Sequence, residues 1–241
     1  MLKIALIGYG KMGKTIEQVA KDRGHEVVAA IDSGNFTPAN LNNADVAIEF
    51  TQPDVAHLNI AKCFDADVPV VVGTTAWYDH YEALAYRART ENKTLFTATN
   101  FSIGVNILFH INEKLSHIMN GFSAYDVKMT ETHHLQKLDH PSGTAVTLAE
   151  GILNHLDRKK KYVGLLEGKS ADITPFDLHI ESKRREGVPG YHAITYKSEI
   201  DELTISHNAK SRLGFAQGAL VAAEWVAHRK GVFGMKDLLN F

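Results

Sequence analysis

Between Glu131 and Thr144 the chain places two adjacent imidazoles, His133 and His134, an ammonium at Lys137 and a Ser142-Gly143-Thr144 turn. Imidazole exchanges its proton near neutral pH and is the commonest proton donor in catalysis. A positioned lysine stabilises negative charge as it develops, and the N–H groups at a helix start receive a carboxylate. The stretch therefore suits acid catalysis on an anionic molecule. The other half of a reaction stands at the N-terminus, where Gly8-Tyr9-Gly10-Lys11-Met12-Gly13 has the glycine spacing of a dinucleotide fingerprint. Together the two motifs suggest hydride transfer to an anionic substrate.

The elements that must carry these residues follow from hydrophobic periodicity. Leu2 to Ile7 is an apolar run of strand length, and Met12, Ile16, Val19 and Ala20 recur at helical spacing until Gly24. Strands are expected at Glu26 to Ile31, Ala44 to Phe50, Val68 to Val72 and Thr94 to Thr97, with helices near Asp54 to Phe64 and Tyr78 to Thr90. This alternation predicts a parallel, doubly covered, Rossmann-like sheet. The link from Ser33 to Asn43 is short and polar, with Gly34 and Pro38, and is expected to lack a full helix.

After Asn100-Phe101-Ser102 the pattern changes to a helix at Val105 to Met119, then strands at Tyr125 to Thr132, Phe176 to Ser182, Gly190 to Tyr196 and Asp201 to His207. A second, α+β domain with a mixed, mostly open sheet is expected. Ala145, Leu148, Ala149 and Ile152 mark the inner face of a helix that starts after Ser142, and an Ala-rich helix spans Ala216 to His228. Arg158-Lys159-Lys160-Lys161 is expected to be a solvated loop.

Within the fingerprint the first glycine permits the tight turn, the second lets the backbone approach the pyrophosphate, and the third lets helix pack on strand. Asp32 ends the next strand, where a carboxylate accepts from the ribose hydroxyls and repels the extra phosphate of NADP. Ser33-Gly34-Asn35 offers no arginine to hold that phosphate, so NADH is the preferred cofactor. Lys11 keeps NADPH open. Gly73-Thr74-Thr75 follows the fourth strand at its carboxyl end; Thr74 and Thr75 either touch the nicotinamide side or cap their own loop.

Composition excludes several classes. The 241 residues carry 26 basic and 28 acidic side chains, a net charge of -2, which points to neither nucleic acid nor an anionic membrane. One cysteine, Cys63, leaves no disulfide framework and no cysteine cluster for zinc, which fits a cytoplasmic protein. The opening residues do not read as a signal peptide, and no membrane span is expected. His133, His134 and His140 are the candidates for a metal, but adjacent histidines on a strand face opposite ways and no acid or thiol stands at zinc spacing. No metal is expected. The other histidines, among them His57, His80, His117, His155 and His228, are scattered along expected helices.

The run from Glu131 to Ala145 resembles the signature of the 4-hydroxy-tetrahydrodipicolinate reductase family, also called dihydrodipicolinate reductase, with His140 in place of the usual alanine. The glycine loop, Gly73-Thr74-Thr75, the junction Asn100 to Asn106, Ser211-Arg212 and Phe215 to Ala219 extend the resemblance over nearly the whole chain. It implies reduction of a cyclic dicarboxylate imine with loss of water, in lysine and diaminopimelate biosynthesis, using NADH or NADPH. By position His133 is then the proton donor and Lys137 the charge stabiliser, while His134, Lys137, Ser142, Gly143 and Thr144 hold the substrate carboxylates. The cofactor meets Gly8, Tyr9, Gly10, Lys11, Met12, Gly13, Asp32, Gly73, Thr74, Thr75, Ala98, Thr99, Asn100, Phe101, Arg212 and Phe215. Residues 1–103 form the nucleotide domain, completed by a C-terminal helix in 214–241, and 104–213 form the substrate and oligomerisation domain. The resemblance also implies a homotetramer. Ala76 stands where the family often has a further glycine. Two rivals remain from the residues alone: another NAD-dependent reductase, acting on aspartate or a semialdehyde, and a silent nucleotide-binding sensor.

Overall fold

The computed structural model describes residues 1–32, 36–41 and 43–241. The first part of the chain runs β1 (Lys3–Ile7), α1 (Lys11–Asp22), β2 (Glu26–Ile31), β3 (Val46–Glu49), α2 (Pro53–Asp65), β4 (Val70–Val72), α3 (Tyr81–Thr90) and β5 (Thr94–Thr97). Then come α4 (Ile103–Asn120), β6 (Asp126–His133), α5 (Gly143–Leu153), β7 (Lys161–Leu166), β8 (Asp177–Arg184), β9 (Gly190–Lys197) and β10 (Glu202–Ala209). The chain closes with α6 (Leu213–Val226), β11 (Gly231–Phe233) and α7 (Met235–Leu239). It divides into two compact units, Met1–Ile103 with Leu213–Phe241, and Gly104–Arg212.

In the first unit six parallel strands lie in the order β11-β5-β4-β3-β1-β2. The strand order reverses at β1, and ligands of open α/β sheets bind outside the carboxyl ends at such a reversal. The glycine loop leaves from there. Ile16, Val19 and Ala20 of α1 and Ala216, Ala219, Leu220 and Ala223 of α6 belong to one core layer. Ala56, Ile60 and Phe64 of α2 and Leu84 and Ala88 of α3 belong to the other. The small residues of α6 serve a close crossing: a Cβ on Gly218 would stand 1.7 Å from the Phe101 carbonyl oxygen. Arg23 and His25 both reach Glu224, at 2.8 to 3.0 Å and 2.7 Å, which ties α6 to the turn before β2.

Two elements of this unit differ from the sequence expectation. β11 extends the sheet beside β5 with only three residues, too few to show a period. The expected helix from Tyr78 splits into a 3₁₀ turn, Tyr78–His80, and α3. Pro38–Leu41 is a single 3₁₀ turn, in keeping with a link that lacks a full helix, while Ser33, Gly34, Asn35 and Asn42 lie outside the described residues.

The second unit has a mixed sheet in the order β10-β9-β6-β8-β7, with β6 antiparallel to β9 and parallel to β8. Period-two alternation puts Val127, Met129, Glu131 and His133 of β6 on one face. The apolar part of that face packs with Leu108 and Met119 of α4 and Ala145, Leu148, Ala149 and Ile152 of α5. The polar part continues the same face to the end of the strand. The basic run after α5 is only partly a solvated loop: Lys160 and Lys161 are exposed, but Arg158 is half-buried and Lys159 buried. Lys159 is 4% exposed, its ammonium donating to the Pro175 and Asp177 carbonyls and pairing with Asp126, and Arg158 donates to the carbonyls of Met119 and Tyr125. Backbone oxygens at element ends need donors when buried, and these long side chains supply them. That same run opens β7, a strand its charged start conceals.

Candidate active site

Gly8 follows β1 at φ +95, and a Cβ there would lie 2.0 Å from the Phe50 oxygen, so no other residue fits the turn. Gly13 approaches the Gly8 carbonyl as closely, with 2.3 Å left for a Cβ. Gly10 differs: nothing lies within 4 Å of where its Cβ would be, and it begins α1 without any side-chain cap. No side chain at Gly10 caps the first-turn N–H groups, and uncapped helix starts of this kind suit an anion. Tyr9 donates to Glu17 and has the Lys14 ammonium 5.8 Å from its ring centre. Met12 is half-buried, Lys11 is exposed, and Asp32 is exposed just past β2.

The loop after β4 is pinned from beneath. Thr74, 7% exposed, accepts the Thr51 N–H at 2.7 Å, and its carbonyl accepts the Trp77 indole N–H at 2.8 Å. Thr74 thus braces its own loop, and exposed Thr75 is the threonine open to a ligand. Glu49, fully buried, accepts from the Thr51 hydroxyl and from Asn59; burial raises its pKa, only partly offset by those hydrogen bonds. Ala76 has φ +61, the glycine-type conformation kept without a glycine, at a cost of roughly 1–2 kcal/mol. After β5, Ala98 is half-buried and Thr99 exposed, and Asn100 accepts the Ser102 N–H at 2.8 Å. The Phe101 ring is core, 5.9 Å from Phe50 and 6.0 Å from Phe96. That packing takes the Phe101 ring out of reach of a ligand. Phe215 is half-buried in the first turn of α6, whereas Arg212 is exposed and is the last residue of the other unit.

In the second unit strand register assembles the acid/base site. Glu131 lies opposite Ser182 on β8 and His192 on β9, and His133 lies opposite Arg184. Glu131 is fully buried; its Oε1 accepts the Ser182 hydroxyl at 2.8 Å, and the Ser142 N–H reaches both oxygens at 3.1 and 3.2 Å. His133 Nδ1 stands 3.3 Å from Oε2, close but without the alignment of a hydrogen bond. Burial on its own would raise the Glu131 pKa, but His133, Ser142 and Ser182 together outweigh it and hold the carboxyl well below its ordinary range. His192 Nε2 meets the Ser142 hydroxyl at 3.1 Å, and burial, followed by the charge of His133, pushes its pKa down to about 3. His192 is therefore neutral at physiological pH.

Ser142 caps α5, its hydroxyl accepting the Ala145 N–H at 3.2 Å. Gly143 and Thr144 then form the first turn, exposed and half-buried, with the positive end of the helix behind them. Half-buried His134 begins the loop, its Nδ1 buried and without a hydrogen-bond partner, and its carbonyl accepts the Lys137 N–H at 3.1 Å. The Lys137 ammonium sits 2.9 Å from both oxygens of Asp139. Arg184 clamps this loop by donating to the carbonyls of Lys137 and Asp139 at 3.0 and 2.8 Å. His140 is exposed, and the His140–Pro141 peptide is cis.

Glu131, Arg184, Ser182 and His192 were not among the residues picked out from sequence. Glu131 had a local signal, since residues two apart on a strand share a face and it lies two before His133; the others come from strands about 50 to 60 residues away. Glu131, His133 and His192 bring ligand-type atoms within 4.8 Å of one another, a different set from the three histidines weighed above. Both carboxylate oxygens already accept hydrogen bonds, whereas His133 Nδ1 and His192 Nδ1 are buried without a hydrogen-bond partner among the described residues.

A parallel sheet with a glycine fingerprint, joined in one chain to a unit with a buried histidine, a Ser-capped helix start and a lysine, is the arrangement of a pyridine-nucleotide-dependent oxidoreductase. The models for the N-terminus and C-terminus of dihydrodipicolinate reductase match residues 2–101 and 104–239. A 4-hydroxy-tetrahydrodipicolinate reductase of Christiangramia forsetii is 46% identical over 99% of this chain and 98% of its own length. One from Neisseria gonorrhoeae is 31% identical, covering 99% and 97%. In fold, a dipicolinate-bound dihydrodipicolinate reductase from Paenisporosarcina sp. TG-14 superposes with a TM-score of 0.78 at 23% identity, covering 98% of this chain and 99% of that one. The chain belongs to the dihydrodipicolinate reductase family.

Proposed function

We propose that this chain reduces 4-hydroxy-tetrahydrodipicolinate to tetrahydrodipicolinate with loss of water, a step of diaminopimelate and lysine biosynthesis. The observation that carries this reading is the convergence of His133 and the start of α5 on one buried carboxylate, Glu131, with Arg184 beside it holding the Lys137 loop. The uncapped start of α1 at Gly10 fits a pyrophosphate, with Asp32 for the ribose and Thr75 and the 98–101 backbone for the rest of the nucleotide. A bound reduced nicotinamide supplies a hydride. Loss of the 4-hydroxyl as water leaves a conjugated, unsaturated imine; hydride added to the carbon end of that conjugated system shifts an electron pair onto the ring nitrogen, and His133 donates the proton that pair takes up. Lys137 opposes negative charge that exists only in the transition state. The N–H groups at Gly143 and Thr144, with Ser142 and His134, hold the ring carboxylates; the Paenisporosarcina relative binds dipicolinate, a ring carrying two such groups.

Oxidation of NADH, followed by absorbance, is expected to require both pyruvate and aspartate semialdehyde as their fresh condensation product. Oxidation that ignores either component overturns the reading, and so does nucleotide binding without turnover. Exposed Asp32 supports NADH as the favoured cofactor, because a second phosphate beside it meets like charge. Lys11 keeps NADPH in use. We expect a higher kcat/KM with NADH and a narrower margin in Asp32→Ser; a preference for NADPH in the unaltered chain would refute this. Association of four copies through the second unit's sheet belongs to the same reading, and no helix among the described residues is long and apolar enough to cross a membrane.

A further inference from the structure

We propose that Glu131 is a positioning residue whose single buried carboxylate both orients His133 as the proton donor and holds the Ser142 end of α5 where the substrate carboxylate docks. The inference rests on the reaction proposed above. A fully buried carboxylate persists only where donors surround it, and here two of the three donor groups are fixed at what they do: Ser182 braces Oε1, and the Ser142 N–H spans both oxygens. The third contact is His133 Nδ1 at 3.3 Å from Oε2. No other group hydrogen-bonds that nitrogen among the described residues. A proton held at Nδ1 on the carboxylate side leaves Nε2 as the donating end of the ring. Gly190 lies at that end, where a Cβ would come within 3.3 Å of Nε2, so the missing side chain keeps the edge clear.

His192 stands edge-on to His133 at 5.1 Å between ring centres. Being uncharged, it does not compete with His133 for the charge of Glu131. The remaining charged or titratable groups that act on the cluster are Arg184, 3.9 Å from Oε1, Lys137 in the loop and His207 on β10. Register alone brings Glu131, Ser182, His192 and Ser142 together from three strands and a helix cap. A glutamine could fill the same space. What it could not supply is the negative charge.

Glu131→Gln is therefore the discriminating variant. Its kcat is expected to fall about 10- to 100-fold, and the alkaline limb of kcat/KM to move roughly one unit lower, because the imidazolium loses its counter-charge. Dipicolinate, measured by calorimetry, is expected to bind several-fold more weakly as Ser142 loses its anchor. Ser182→Ala removes a hydrogen bond but keeps the charge, so its pH limb stays in place. An unmoved limb in Glu131→Gln overturns the proposal, as does restoration by zinc of activity that a chelator has removed from the unaltered chain. Should Glu131→Gln fail to fold, Glu131→Asp retains the charge but withdraws it from Nδ1, and an unchanged kcat would then refute the claim. If the unaltered chain does not turn over the condensation product, the proposed reaction falls, and dipicolinate affinity decides the positioning role by itself.

Discussion

His133→Ala is expected to lower kcat by about 10²–10⁴-fold, the usual contribution of a positioned general acid, with KM for substrate and for NADH little changed. The imidazole stands at the last residue of β6, 7% exposed, so its position is set by strand pairing to Arg184 and by the buried Glu131 beneath it. Water admitted to the space left by the ring is a weaker acid and is not aimed at the ring nitrogen. Binding is expected to survive because, in the reading proposed above, the carboxylates dock at Gly143, Thr144 and the loop. The variant keeps its fold because Ser142 and Ser182 still donate to Glu131. Steady-state kinetics with thermal unfolding of the same preparation separate lost chemistry from lost structure. Near-normal turnover in folded protein removes His133 from the mechanism.

Lys137→Ala is expected to act on both parameters, with kcat down about 10²–10³-fold, the scale for losing one preorganised charge stabiliser, and KM for the substrate raised. The ammonium rests on Asp139, and its hydrogen bond lowers the Asp139 pKa despite burial. Such a pair contributes only about 0–1 kcal/mol when solvent reaches it, and the Lys137 side chain is 22% exposed. Turning from Asp139 toward a dicarboxylate therefore costs little. Arg184 keeps the backbone of the loop in place while the side chain moves. Lys137→Arg is not expected to rescue, since a planar fork cannot occupy the place of a compact ammonium. An unchanged substrate KM in Lys137→Ala would place the ammonium away from the ring.

The two signatures were legible in the chain because each is local. Gly8-Tyr9-Gly10-Lys11-Met12-Gly13 lies between a strand and a helix, and Ser142-Gly143-Thr144 is the cap and first turn of α5, so short-range sterics and capping dictate both. The roles of single side chains inside them were less readable. Thr74 and Thr75 are adjacent and alike, yet hydrogen bonding from Thr51 and Trp77 turns the first inward and leaves the second exposed. Phe101 sits in a motif of the cofactor junction, but its ring packs between Phe50 and Phe96. Lys159 has the look of a solvated charge and is buried among carbonyls.

By itself, then, the sequence determined the alternation of strands and helices, the glycine turn and the His–Lys–helix-start stretch, because periodicity, left-handed backbone and capping act over a few residues. Only the tertiary structure decided what stands under His133. Glu131 meets Ser182 and His192 through strand register, a property of pairing between residues about 50 and 60 apart, and no local pattern encodes which side chains a register brings face to face.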